Sequence, residues 1–349
     1  MASELVSAMM DFNKTEATLL EMYRNETETG QDVNPFSEEA LNGSPKSIKS
    51  KIAASRDFFS SNSVESARVK NDFEIWIKAQ VGEVFQNENV LAAPGAPGQI
   101  ADGSSVRYIN GKGLEYNQAV NKGMIGALMV DQMINNYLSP SVLDEGENRD
   151  NNDLGITEEG KPYTTMEHKW DEAYGYLFGA STNSASPLVS LGEDDFLNKY
   201  LERVDDDPDF AGIAQDIFNA FKVGRAAIVE RDYNLRDEQA EIIKGLVSRV
   251  IAVRAVYYLQ QGKIGLRTDG VNLGGAFHDL SEGFGFVYSL RFTRQPESNE
   301  PYFTREEVDQ LLNQLTKDNG FWDLKQETLD QLSQDISERF DFRISEAAE

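Results

Sequence analysis

The sequence predicts an all-α fold, a duplicated helical bundle with a pseudo-twofold internal repeat. Three observations predict it. Apolar residues recur at helical spacing over most of the chain, no sustained strand-type alternation appears, and one eleven-residue pattern occurs twice.

The elements follow in order. Residues 3–26 carry Leu5, Met9, Met10, Phe12, Leu19, Leu20, Met22 and Tyr23, an amphipathic helix that runs into a polar loop at 25–34. Residues 63–86 again look helical, with Phe73, Ile75, Trp76, Ile77, Val81, Val84 and Phe85. The stretch AAPGAPGQIADGSSVRYINGKG, rich in Gly, Pro, Ser and Asp, reads as a long loop that covers a surface or a site. Residues 113–138 form a strongly apolar helix, with Gly123 and Gly126 permitting close packing, and Ser139-Pro140 stops it. An acidic, Gly- and Asn-rich segment at 144–160 precedes a helix at 165–178. Helices follow at 209–230, 237–261, 276–292, 304–317 and 326–338. We expect one large helical domain over 1–349, with repeat units at about 105–180 and 209–292 and flanking helices and loops at 1–104 and 293–349.

Composition narrows the partners. The 349 residues hold 33 basic and 59 acidic side chains, a formal net charge of −26, so nucleic acid and anionic membrane surfaces are repelled and cations are the easier guests. There is no cysteine, which excludes disulfides, thiolate metal sites and a Cys nucleophile. The longest apolar stretches are interrupted by Asp131 and by Arg249 and Arg254, short of the roughly 20 apolar residues of a membrane span. The opening MASELVSAMMDF reads as a start placed on a mature or truncated chain.

The repeat carries the chemistry. Residues 168–178 (HKWDEAYGYLF) and 278–288 (HDLSEGFGFVY) both fit H-x-x-x-E, then a small residue, an aromatic, glycine, an aromatic, any residue, an aromatic. They contain the chain's only two histidines. On a helix, i and i+4 share a face, so His168 with Glu172 and His278 with Glu282 each point at a common ligand. Imidazole nitrogen with carboxylate oxygen suits a transition metal, iron first and zinc or copper next, better than calcium. If the two helices face each other, the four side chains build one site, with Glu167, Asp171 and Asp279 in reserve. The alternative is a packing device, in which each pair makes only an intrahelical hydrogen bond. In both copies the glycine between aromatics is expected to serve close helix contact.

The segments GKGLEYNQAVNKGMIGALMVDQMINNYLS, YTTMEHKWDEAYGYLFG, FKVGRAAIVERD and 278–292 resemble the DUF4856 family, bacterial lipoproteins and periplasmic proteins, over roughly 105–292. The His-Glu helices are also similar in style to imelysin-like proteins, duplicated helical bundles with a G-x-H-x-x-E motif connected with iron uptake. Here the glutamate stands at i+4, while Asp171 and Ser281 occupy i+3. The resemblance implies a periplasmic or outer-membrane-attached lipoprotein of a Gram-negative bacterium, with its signal segment upstream. It also implies an outer-membrane uptake receptor as partner.

Other patterns carry less. The Asp205–Asp209 and 150–155 stretches are oxygen-rich enough for calcium but lack the EF-hand order, and read as helix caps or solvated loops. Gly111-Lys112-Gly113 is a turn, not a phosphate loop, and neither H-E-x-x-H nor G-x-S-x-G occurs. Arg225, Arg254 and Arg291 need carboxylate partners if buried, with Glu115 and Asp131 as candidates. Three functions fit: capture of a metal or metal complex for uptake, metal-assisted hydrolysis or peptidase chemistry, or a structural module.

Overall fold

Eleven principal helices and one β-hairpin organise the described residues of the computed structural model, which are 1–267 and 272–348. In chain order they are α1 (Ala2–Ala8), α2 (Glu16–Arg24), α3 (Ser63–Ala79), β1 (Gly98–Asp102), β2 (Ser105–Ile109), α4 (116–137), α5 (Thr165–Phe178), α6 (Leu197–Asp205), α7 (Ile213–Glu230), α8 (Tyr233–Leu266), α9 (Leu273–Ser289), α10 (Arg305–Leu315) and α11 (Gln326–Arg339). Helix α4 is continuous but widens to π turns over Ile125–Val130 and Met133–Tyr137.

The 34-residue α8 is the central column. Its buried residues, among them Ile243, Val247, Val250, Ile251 and Leu259, lie all round it because α7, α9 and α11 pack on different sides. Helix α9 runs between α8 and α4 and also meets α10 and β1. Local signals set the helix starts. Thr164 and Thr304 close capping boxes with Glu167 and Glu307, and Asp232 caps α8 through the Leu235 N–H.

Three expectations are corrected. Residues 3–26 are two helices, not one: Asp11 accepts from the Asn13 N–H, and Thr15 then restarts the chain as the cap of α2. The supposed long loop contains the antiparallel β1–β2 pair, with Asp102 opposite Ser105 and Gly103 at φ 58° in the two-residue turn. Helix α6 was not anticipated, although Leu197, Tyr200, Leu201 and Val204 are all buried at i, i+3, i+4 and i+7.

The arginines also find other partners than expected. Arg225 holds Glu167 and Asp171 at 2.5 and 3.0 Å, Arg291 holds Asp309 at 3.0 Å, and Arg254 lies over the rings of Tyr257 and Tyr258. Asp131, fully buried, accepts from the Ala54 and Ser55 N–H groups and from Asn135 instead. Asp205 accepts from the Gly212 and Ala214 N–H groups and so caps α7.

Candidate functional site

The two His-Glu pairs lie where expected, on α5 and α9, but in opposite surroundings. On α9, His278 is built into a buried chain of charges. Its Nδ1 is 2.7 Å from Glu115 Oε2; a carboxylate only accepts, so the imidazole N–H donates. That leaves Nε2 facing Glu282 Oε1 at 3.9 Å. The same oxygen is answered by Lys122 Nζ at 3.1 Å, and the Tyr258 hydroxyl lies near enough to favour the ionised carboxylate. Lys122 in turn lies over the Tyr200 ring at 5.0 Å. Glu115, Lys122 and Glu282 are buried, and α4 supplies Lys122 while Glu115 precedes its first turn.

The electrostatics follow from this enclosure. Burial works against the His278 imidazolium, but the hydrogen bond and charge of Glu115, with Glu282 behind, raise its pKa above the ordinary value. Burial likewise pushes Glu282 up, and Lys122, His278 and Tyr258 outweigh it to hold the carboxyl low. Asp279, on the same turn, has no lysine or arginine in ion-pair contact among the described residues, and burial pushes it up to about 6 despite His278.

On α5, His168 and Glu172 stand open. Nε2 is 3.6 Å from Oε1, and the two side chains are 37% and 32% exposed. Tyr163 stacks on the imidazole with centroids 5.2 Å apart. Glu172 lies beside Tyr137, whose hydroxyl is kept protonated by burial first and by this carboxylate second, and no lysine or arginine reaches Glu172 within ion-pair distance among the described residues. The reserves Glu167 and Asp171 are committed to Arg225. A shelf of about 320 Å³ is lined by His168, Asp171, Glu172, Gly175 and Tyr176.

The matched glycines separate the two copies further. At Gly285 a Cβ would collide with the Lys122 side chain and come within 3.1 Å of Gly123 N, so this glycine does let α9 close on α4. At Gly175 a Cβ would meet nothing within 4 Å, which corrects the expectation of close helix contact there. Gly175 follows Glu172 by three positions and His168 by seven, on the same face, and leaves the shelf uncovered.

The structure does not bring the two pairs together. Glu282 meets α4 at Lys122, and Glu172 meets it at Tyr137; these positions, fifteen residues apart along the helix, are separated by roughly 20 Å. Among the described residues no three His, Cys, Asp or Glu side chains are grouped as a metal ion would need. A bare transition-metal ion, which takes three or four protein donors, therefore does not fit either pair alone. Lys122 is the site residue that sequence reasoning passed over; its signal was that no other lysine or arginine occurs in residues 116–137.

The profile of a domain of unknown function, DUF4856, matches residues 1–343, and the chain belongs to that family. Neither a curated protein nor a solved structure matches the chain.

Proposed function

Starting from membership in a family without an assigned function, we propose that this protein binds a transition metal, iron first, presented as a complex with a small chelator, in the cell envelope. The observation that carries this reading is the open His168–Glu172 pair beside Gly175: an imidazole and a carboxylate one turn apart, with no lysine or arginine in ion-pair contact among the described residues, under an uncovered shelf. A mid-helix glycine costs about 1 kcal/mol relative to alanine, and no packing contact recovers that cost at Gly175. His168 and Glu172 would hold the metal, and the chelator would supply the remaining positions. The His278–Glu282 copy, closed by Glu115 and Lys122, keeps α4, α8 and α9 in register. The acidic surface favours cationic guests, and no helix among the described residues is long and apolar enough to cross a membrane. The envelope location and an uptake receptor as partner rest on the resemblance to periplasmic and lipoprotein chains.

The test is calorimetric titration of the full chain with ferric citrate, and separately with zinc and copper ions. The reading expects about one ferric complex per chain, with binding lost in a His168→Ala variant of unchanged melting temperature. Equal binding by His168→Ala, or none by the wild type, would sink it.

A further inference from the structure

The ground beside the His168–Glu172 pair carries positive charge that the pair itself does not use. Lys51 and Lys169 each place Nζ 5.9 Å from the centroid of the Tyr137 ring, so the two nitrogens are at most twice that distance apart. Tyr137 packs beside Tyr176, a residue of the shelf, with ring centroids 5.8 Å apart. Lys169 shares the shelf's face of α5, three positions before Glu172 and seven before Tyr176. Neither lysine makes an ion pair among the described residues, and at 5.9 Å the ring sits at the outer edge of cation–π attraction, so little holds either ammonium in place. Burial first and Lys46 second hold the Lys51 ammonium below its ordinary pKa, with Lys169 adding to them and Glu172 opposing.

The local balance of charge is thus the reverse of the whole chain's. Glu167 and Asp171 are held by Arg225, which leaves the Glu172 carboxylate against Lys46, Lys51 and Lys169, in a protein whose net charge is −26. A metal ion that takes the Glu172 charge withdraws even that counterion from the lysines. A cationic chelator around the metal would then be repelled, and a neutral one would leave both ammonium groups unanswered. A chelator with carboxylates beyond those engaged by the metal answers them, because lysine's flexible four-carbon stem carries its charge over several ångströms.

We infer that the shelf selects a metal complex whose chelator is a small polycarboxylate, with free carboxylates paired to Lys51 and Lys169 while the metal takes His168 and Glu172. This selection rests on metal binding by that pair, as proposed above, and fixes the charge of the guest. The test is calorimetric titration of the full chain with ferric citrate and with two complexes of one metal, copper(II) citrate and copper(II) 2,2′-bipyridine. A Lys51→Met/Lys169→Met variant of unchanged melting temperature should bind both citrate complexes about tenfold more weakly than wild type, and the cationic bipyridine complex as tightly or more tightly. Lys51→Arg/Lys169→Arg, which keeps both charges, should bind the citrate complexes close to wild type. Added salt should weaken citrate binding more in the wild type than in the methionine variant. Should the methionine variant fail to fold, Lys169→Glu, at a partly exposed position, reads the same charge. The selection is overturned, and the metal site stands, if the lysine variants bind the citrate complexes like wild type while His168→Ala loses the bipyridine complex. If the wild type binds none of the complexes, or His168→Ala binds all of them equally well, the metal reading falls and the selection falls with it.

Discussion

Replacing each of the two matched glycines by alanine should move stability in opposite directions, although the local sequences correspond. At Gly175 a methyl group enters open space on a regular helix. The gain is the helix propensity of alanine together with a less flexible unfolded chain, about 0.5–1 kcal/mol. For a chain of 349 residues the entropy of unfolding is about 0.7 kcal/mol/K, so the melting temperature rises by roughly 1 °C. At Gly285 the same methyl group drives α9 against Lys122 and the backbone at Gly123. Overpacking of this kind costs about 1–3 kcal/mol, and the backbone on one side leaves little room to relax, so a fall of roughly 2–4 °C is expected. Calorimetry and urea unfolding of Gly175→Ala and Gly285→Ala check both values. The Gly175→Ala variant should also take up ferric citrate more weakly than wild type, because its methyl group projects over the shelf. A destabilised Gly175→Ala would show that the shelf is covered in solution and refute the argument, as would a neutral Gly285→Ala for the contact between α4 and α9.

Further expectations concern the buried charges. Lys122→Met strands the buried Glu282 carboxylate without its cation and should cost about 3–5 kcal/mol, whereas the Lys122→Met/Glu282→Gln double variant should recover most of the loss in urea unfolding. Asp279, at about 6 when folded and near 3.9 when unfolded, penalises the fold as pH rises between those values. Asp279→Asn should therefore stabilise by about 3 kcal/mol at most above pH 6 and change nothing below about pH 4, as read from melting temperatures across that range. Glu115→Gln removes the charge that favours the His278 imidazolium, so that imidazole should titrate at lower pH in proton NMR, its signal assigned with a His168→Ala control.

Helix positions were the most legible part of the sequence, because long apolar periodicity and caps act locally: 165–178 coincides with α5, and the spans at 305–315 and 326–339 differ from expectation by a residue or two. The hairpin at 98–109 was hidden because its strands are half-exposed and short, with only Asp102-Gly103 to announce the turn. Helix α6 was overlooked between acidic loops although its buried stripe was present. For the site, the i, i+4 spacing correctly placed each histidine beside its glutamate, since that is a property of one helix. Which pair is open and which is locked depends on Glu115 and Lys122, which lie more than 150 positions away in the chain from His278 and Glu282. Such contacts leave no periodic trace. The same holds for the contrast between Gly175 and Gly285, identical in pattern and opposite in packing.

The most direct test of the central claim is electron paramagnetic resonance of copper(II), added as its citrate complex at one equivalent, with the wild type and with the His168→Ala and His278→Ala variants. The account predicts nitrogen hyperfine coupling from a single imidazole in the wild type, its loss in His168→Ala, and its retention in a His278→Ala protein that is less stable but folded. A signal that survives His168→Ala and disappears in a folded His278→Ala variant would place the ligand in the buried copy and contradict the account.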